Sequence, residues 1–155
     1  QLGLAEGEEV RQAVETYQQL FEELGVLHVG LFPGMAEALQ RQHEAGRQLA
    51  IATSRGHRSV EALCEQLGIR HYFDYIVACE DVQAHKPDPA PVFRLQHMAG
   101  VEAADVTVIG DTTFDMQMGR NARVGQCVGV AWGNHTAGQL REAGADFVAC
   151  SPEEL

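Results

Sequence analysis

Two carboxylates, four residues apart, stand just beyond an apolar run in Val106-Thr-Val-Ile-Gly-Asp-Thr-Thr-Phe-Asp115. The run favours a strand, apolar on both sides as if helices covered both sheet faces, and Gly110 permits a sharp turn at its end. Asp111 then falls in the crevice where open α/β sheets bind ligands. A helix starting next brings Asp115 to the same point one turn on. Two close carboxylates are costly without a cation, and a hard divalent ion such as Mg²⁺ is the natural occupant. The same residues also suit a plainer arrangement, with Asp111 capping a helix and Asp115 as a solvated charge.

Two further groups extend the chemistry. Thr53 ends the apolar stretch 48–53, and Lys86 opens Lys86-Pro-Asp-Pro89. Alone, Thr53 reads as a helix cap and Lys86 as a loop lysine in solvent. Together with the carboxylates they match the needs of phosphoryl transfer. A hydroxyl holds a phosphate oxygen, a lysine neutralises charge, and carboxylates hold the metal.

The elements that must position these groups alternate from residue 34 onward. Helices are expected at 35–45, 57–67, 89–99, from about 112 to 123, and at 136–143. Strands are expected at 48–53, within 73–79, at 106–110, at 127–131 and at 146–150. Val60, Leu63, Cys64 and Leu67 form an i, i+3, i+4, i+7 stripe. Asp88 and Pro89 suit a helix start, and Gly46, Gly68, Gly100, Gly125 and Gly144 suit helix ends. Residues 151–155 read as a helix beginning. Such alternation predicts an α/β fold, a three-layer Rossmann-like parallel sheet with helices on both faces. Thr53, Lys86, Asp111 and Asp115 then all lie on or just after strand ends on one edge. Before these elements, residues 7–24 carry a helical pattern that ends at Gly25.

The 155 residues suffice for one domain, and the net charge of −11 argues against nucleic acid or an anionic membrane as partner. No apolar run is long enough to span a membrane, and no secretory pattern opens the chain. Cys64, Cys79, Cys127 and Cys150 are widely spaced, three of them in expected strands. They read as buried reduced thiols of a cytoplasmic protein.

The motifs carry a resemblance. The chain resembles the haloacid dehalogenase-like hydrolase superfamily, and within it the phosphoglycolate phosphatase-like group, over nearly all of residues 31–155. Leu49-Ala-Ile-Ala-Thr-Ser54 is similar to the second family motif, Lys86-Pro-Asp-Pro89 to the third, and Gly110-Asp-Thr-Thr-Phe-Asp115 to the fourth. The resemblance implies phosphate binding by Thr53 and the Ser54 backbone. It implies that Lys86 steadies the nucleophile and the transferring phosphoryl group. Mg²⁺ binding falls to Asp111, with Asp115 as a ligand or as a partner behind the ligand. The substrate implied is a small phosphorylated metabolite.

The first family motif, a strand ending in Asp-x-Asp-Gly-Thr, is absent from these 155 residues. In the family its first aspartate is the nucleophile that forms an aspartyl phosphate, and its second is the general acid and base. That strand lies mid-sheet, between the strand ending at Thr53 and the one ending at Ile109. Residues 1–30 resemble the end of the helical cap that follows the motif. The expectation is therefore a fragment of a longer phosphatase: a cap remnant at 1–30 and a core at 31–155 without its first strand, inactive alone. A non-catalytic binding module, a phosphomutase and a pyrophosphatase are the alternatives. A dehalogenase is disfavoured by Asp111. A response-regulator receiver is disfavoured by a lysine that precedes the carboxylates.

Other polar residues suggest lesser roles. His57, His71, His85, His97 and His135 lack metal-ligand spacing and read as solvated or capping groups, with His85 a possible neighbour of the cleft. Arg55 could orient a substrate anion. Trp132 and Asn134 lie in a loop near the same edge and read as core packing and a turn. Gly119, inside a helix, implies close packing against a neighbour.

Overall fold

The computed structural model describes residues 7, 12, 16 and 29–155. The expected helix at 7–24 lies almost wholly outside the described residues. The chain divides into two compact units, 1–31 and 32–155.

In the second unit the order is α1 (Met35–Glu44), β1 (Ala50–Ala52), α2 (His57–Gln66), β2 (Tyr75–Val77), α3 (Ala90–Ala99), β3 (Thr107–Gly110), α4 (Thr113–Asn121), β4 (Gln126–Val130), α5 (Ala137–Glu142) and β5 (Phe147–Ala149). Residues 152–154 form a 3-10 turn in place of the helix start expected there. Every helix and strand expected after residue 34 is present; β1, β3 and β5 are shorter than their expected runs, and β4 keeps its length but is shifted by one residue.

All strand pairs are parallel. β1 pairs with β2, placing Ile51 beside Ile76. β3, β4 and β5 pair in that order, with Ile109 beside Val128 and Val128 beside Phe147. The described strands thus form two parallel sheets, of two and three strands. Among the described residues no strand pairs with the second edge of β1 or of β3.

One face of the three-stranded sheet holds the main core. Val92 of α3, Val108, Met116 and Met118 of α4, Cys127, Leu140 of α5 and Val148 form one buried cluster, with Ala52 of β1 packed against it. These residues are apolar at the sheet and helix spacings that aim them inward. Gly119 belongs to the same packing, since a Cβ there would press on Cys127 Sγ and Val108. α1 is tied to the chain end, where Arg41 donates to the Pro152 carbonyl at 3.0 Å and Gln42 to the Leu155 carbonyl at 2.9 Å.

Several expectations are corrected. At β3 Val108 is buried but Ile109 is 50 % exposed and Phe147, in the same row, 46 %, although Val128 between them is buried. An apolar run therefore does not by itself establish two covered faces. Gly125 does not end α4. The helix closes at Ala122, and Arg123 takes the left-handed conformation. Gly125 instead lies against the Ala104 backbone. Of the cysteines only Cys127 lies in a strand; all four are free, Cys64 and Cys127 buried and Cys150 exposed. Among the described residues no helix is long and apolar enough to cross a membrane.

Candidate active site

Of the residues singled out by their chemistry, Thr53 and Asp111 directly follow strands, Lys86 lies in the long loop after β2, and Asp115 sits in the first turn of α4. Thr53 follows β1, and its N–H donates to the Val77 carbonyl at 3.0 Å, extending the ladder to β2. Its hydroxyl accepts the Arg55 N–H at 3.1 Å, fixing a tight turn with Ser54 exposed between them. This turn is clamped from β2. Cys79 N–H donates to the Arg55 carbonyl, and both Glu80 carboxylate oxygens accept the His57 N–H at 3.2 Å. Glu80 thereby neutralises the partial positive charge at the start of α2. The backbone hydrogen bonds at Glu80, with those from His57, hold its carboxyl below the usual range against slight desolvation.

His57 is neither free in solvent nor only a cap. Its Nε2 lies 2.6 Å from Asp81 Oδ2, and Arg94 approaches the other Asp81 oxygen at 3.6 Å. Asp81 also accepts the Ala78 N–H at 2.8 Å, the main reason its carboxyl lies below the ordinary value. The turn 79–81 is thus a charged brace under the Thr53 loop.

Lys86 lies in the loop between β2 and α3, joined to Pro87 by a cis peptide bond. Asp88 Oδ1 accepts the Ala90 N–H at 2.8 Å, although Pro89 rather than Asp88 is the cap position of α3. The Lys86 ammonium reaches Asp115 Oδ1 at 2.7 Å. Asp115 is only 6 % exposed, so it is not a solvated charge. Its other oxygen accepts the Thr112 hydroxyl at 2.6 Å and the Thr112 N–H at 3.0 Å. The Asp115 N–H donates back to Thr112 Oγ1, completing a capping box at the start of α4. The helix cap is therefore Thr112, which removes the plain capping reading of Asp111. Burial alone would raise the Asp115 carboxyl. The Lys86 ammonium and the Thr112 donors outweigh it and hold the group below its ordinary value. Gly110 makes the geometry possible, because a Cβ there would collide with the Asp115 side chain.

Asp111 is held from the loop after β4. Asn134 donates to Asp111 Oδ2 twice, from its backbone N–H at 2.9 Å and from its side-chain amide at 2.5 Å. His135 N–H donates to the Asp111 carbonyl at 3.1 Å, and the His135 ring accepts the Thr113 N–H at 2.9 Å. The second contact is a capping role at α4. Gly133 leaves the room, since a Cβ there would meet Asp111 Oδ2 at 2.5 Å.

The fold brings Lys86 and Asp115 into contact and sets Asp111 on the same β3–α4 turn. Thr53 and Ser54 make no described hydrogen bond to these three. Sequence reasoning named Asn134 only as a turn residue, and it did not find Gly133 or the Glu80–Asp81 brace. The strand alternation gave only a general signal for the first two, placing the loop after β4 on the same edge, and the pairing of β4 with β3 sets it beside Asp111. As a metal site the donors fit in part. Asp115 is engaged on both oxygens, and among the described residues no group of three or more His, Cys, Asp or Glu gathers. Asp111 keeps one oxygen without a described donor, and Mg²⁺ commonly uses one or two carboxylates with waters and substrate phosphate.

Comparison with known proteins gives this edge a context. The chain is 38 % identical over 140 residues to a protein of Dickeya dadantii named probable phosphatase IndB. That alignment covers 89 % of this chain and 60 % of the relative. It is 31 % identical over 128 residues to a phosphoglycolate phosphatase of Pseudomonas fluorescens, covering 82 % of this chain and 46 % of the relative. The chain thus spans about half the length of such curated relatives. A hydrolase from Pseudomonas syringae superposes with a TM-score of 0.85 at 28 % identity, over 96 % of this chain and 68 % of that structure. Residues 3–130 match the family described as haloacid dehalogenase-like hydrolase. With the parallel α/β architecture already in place, that match over most of the chain establishes that it belongs to the haloacid dehalogenase-like hydrolase family.

Proposed function

We propose that this chain carries the phosphate-handling half of a Mg²⁺-dependent, cytoplasmic phosphatase acting on small phosphomonoesters. The observation that carries the reading is the ion pair of Lys86 with the nearly buried Asp115, on the turn that also presents Asp111. A lysine held by a buried carboxylate is aimed rather than free, as charge neutralisation at a transferring group requires. In this reading Thr53 and the Ser54 N–H bind phosphate oxygens, Lys86 approaches the transferring group, and Asp111 holds the metal. Asp115 acts behind them, orienting Lys86. When bound, Mg²⁺ would neutralise phosphoryl charge. The relatives named phosphatase support the substrate class.

Turnover needs a nucleophile that these 155 residues do not contain. In a polypeptide supplying Asp-x-Asp-Gly-Thr, the first aspartate would attack phosphorus, forming an aspartyl phosphate, while the second would protonate the departing oxygen so that it leaves as the alcohol. Water would then release inorganic phosphate and regenerate the carboxylate. The chain alone is accordingly inactive. A second reading is a non-catalytic module that keeps the fold.

Calorimetric titration of the purified chain with inorganic phosphate, with and without Mg²⁺, separates the two. Metal-dependent phosphate binding that is weakened in Thr53→Ala and Lys86→Ala supports the phosphatase reading. Binding indifferent to both substitutions, or none in the unaltered chain, favours the module.

A further inference from the structure

The loop after β4 carries none of the motifs behind the family resemblance, yet it makes the closest contacts to the Asp111 carboxylate. We propose that Asn134 is a positioning residue for Asp111, turning the carboxylate so that Oδ1 is presented to the metal. This rests on the reading of Asp111 as the metal-holding residue.

Both Asn134 donors converge on one oxygen, Oδ2. A carboxylate is acceptor-only, so the Asn134 amide must present its NH₂ side and its orientation is unambiguous. With two donors on Oδ2, rotation about the Asp111 side chain would break both at once. Among the described residues no donor reaches Oδ1, which stays available to a cation.

The loop can hold this position because it is anchored on both sides. Ala131 N–H bonds to the Ala149 carbonyl at 2.9 Å, fixing the loop's start to β5. Thr136 and Gln139 form a capping box that fixes its end to α5. Between them, His135 is joined to the Asp111 carbonyl and to the Thr113 N–H. Gly133 brings the backbone against Asp111 at a distance no side chain would allow. Outer partners that orient a metal-bound carboxylate typically contribute about 10–100-fold in metal affinity.

The test is Mn²⁺ binding to the purified chain, followed by electron paramagnetic resonance, with competition by Mg²⁺. Asn134→Ala should bind Mn²⁺ roughly tenfold more weakly. Asn134→Asp should move two properties in opposite directions. It sets a second carboxylate against Asp111, so the metal-free chain should melt at lower temperature while Mn²⁺ affinity is kept or rises. A merely structural role would lower both. Unchanged affinity in Asn134→Ala, or affinity lost in Asn134→Asp, overturns the inference. Asp111→Asn is the control: if it leaves Mn²⁺ binding intact, the metal reading of Asp111 fails and this inference with it. Loss in Asp111→Asn without loss in Asn134→Ala defeats the Asn134 role alone.

Discussion

Lys86 and Asp115, 29 positions apart, meet at 2.7 Å with Asp115 almost wholly enclosed. The contact links the loop after β2 to the first turn of α4, so it ties together segments that follow strands of different sheets. Removing the ammonium leaves a nearly buried carboxylate with Thr112 alone. Lys86→Met should therefore destabilise the chain by about 2–3 kcal/mol, below the ~3–5 of a fully buried pair because Lys86 keeps some solvent contact. Urea unfolding measures this. The double substitution Lys86→Met with Asp115→Asn should recover part of the loss, since no unpaired charge then remains.

Acid should weaken the same contact. The Asp115 carboxyl is held below its ordinary value of 3.8. Its contribution is complete above that value and is lost as pH falls through the depressed one, because the unfolded chain takes up the proton first. The stability difference between the unaltered chain and Asp115→Asn should narrow steadily as pH drops below about 4. A difference that stays constant down to pH 2.5 would show that Lys86 does not govern Asp115.

Thr112 caps α4 and donates to Asp115 through its hydroxyl. Thr112→Ala should cost about 1 kcal/mol, and Thr112→Ser should restore most of it by supplying the same oxygen. Thermal unfolding of the two variants decides.

Gly133→Ala tests the close approach of the loop to Asp111. The added Cβ cannot coexist with the present Asp111 rotamer, and the carboxylate is too short to bend away cheaply. Overpacking of this kind costs about 1–3 kcal/mol. Mn²⁺ affinity should fall along with the melting temperature, whereas Gly138→Ala, which lies in α5 and meets only open space and Thr136, should leave Mn²⁺ affinity unchanged and hold or raise the melting temperature.

Much of the architecture was legible because helix and strand periods alternate so regularly after residue 34. That alternation alone puts Thr53 and Asp111 just after strands, Lys86 in the loop that follows β2 and Asp115 on the helix that follows β3. Less legible was anything set by neighbours distant in sequence. Ile109 sits in an apolar run, but whether a strand has two covered faces depends on what packs there. Asn134 stands in a Trp-Gly-Asn-His loop whose composition suits any turn, and only the β3–β4 pairing reveals the carboxylate it faces. His57 looks like an ordinary helix start until β2 places Asp81 against it. Gly125 resembles a helix stop, yet α4 closes through Arg123 and the glycine serves a contact with Ala104.

The central claim is that this edge handles phosphate and depends on a nucleophile from outside these 155 residues. The most direct measurement is Mg²⁺-dependent phosphate release from p-nitrophenyl phosphate by the mass-verified chain, alone and extended by a strand segment ending in Asp-x-Asp-Gly-Thr. The account predicts no turnover from the chain alone, and turnover from the extended chain that Asp111→Ala abolishes. Full turnover from the verified 155-residue chain, lost in Asp111→Ala, would contradict it and require another nucleophile, such as a metal-activated water.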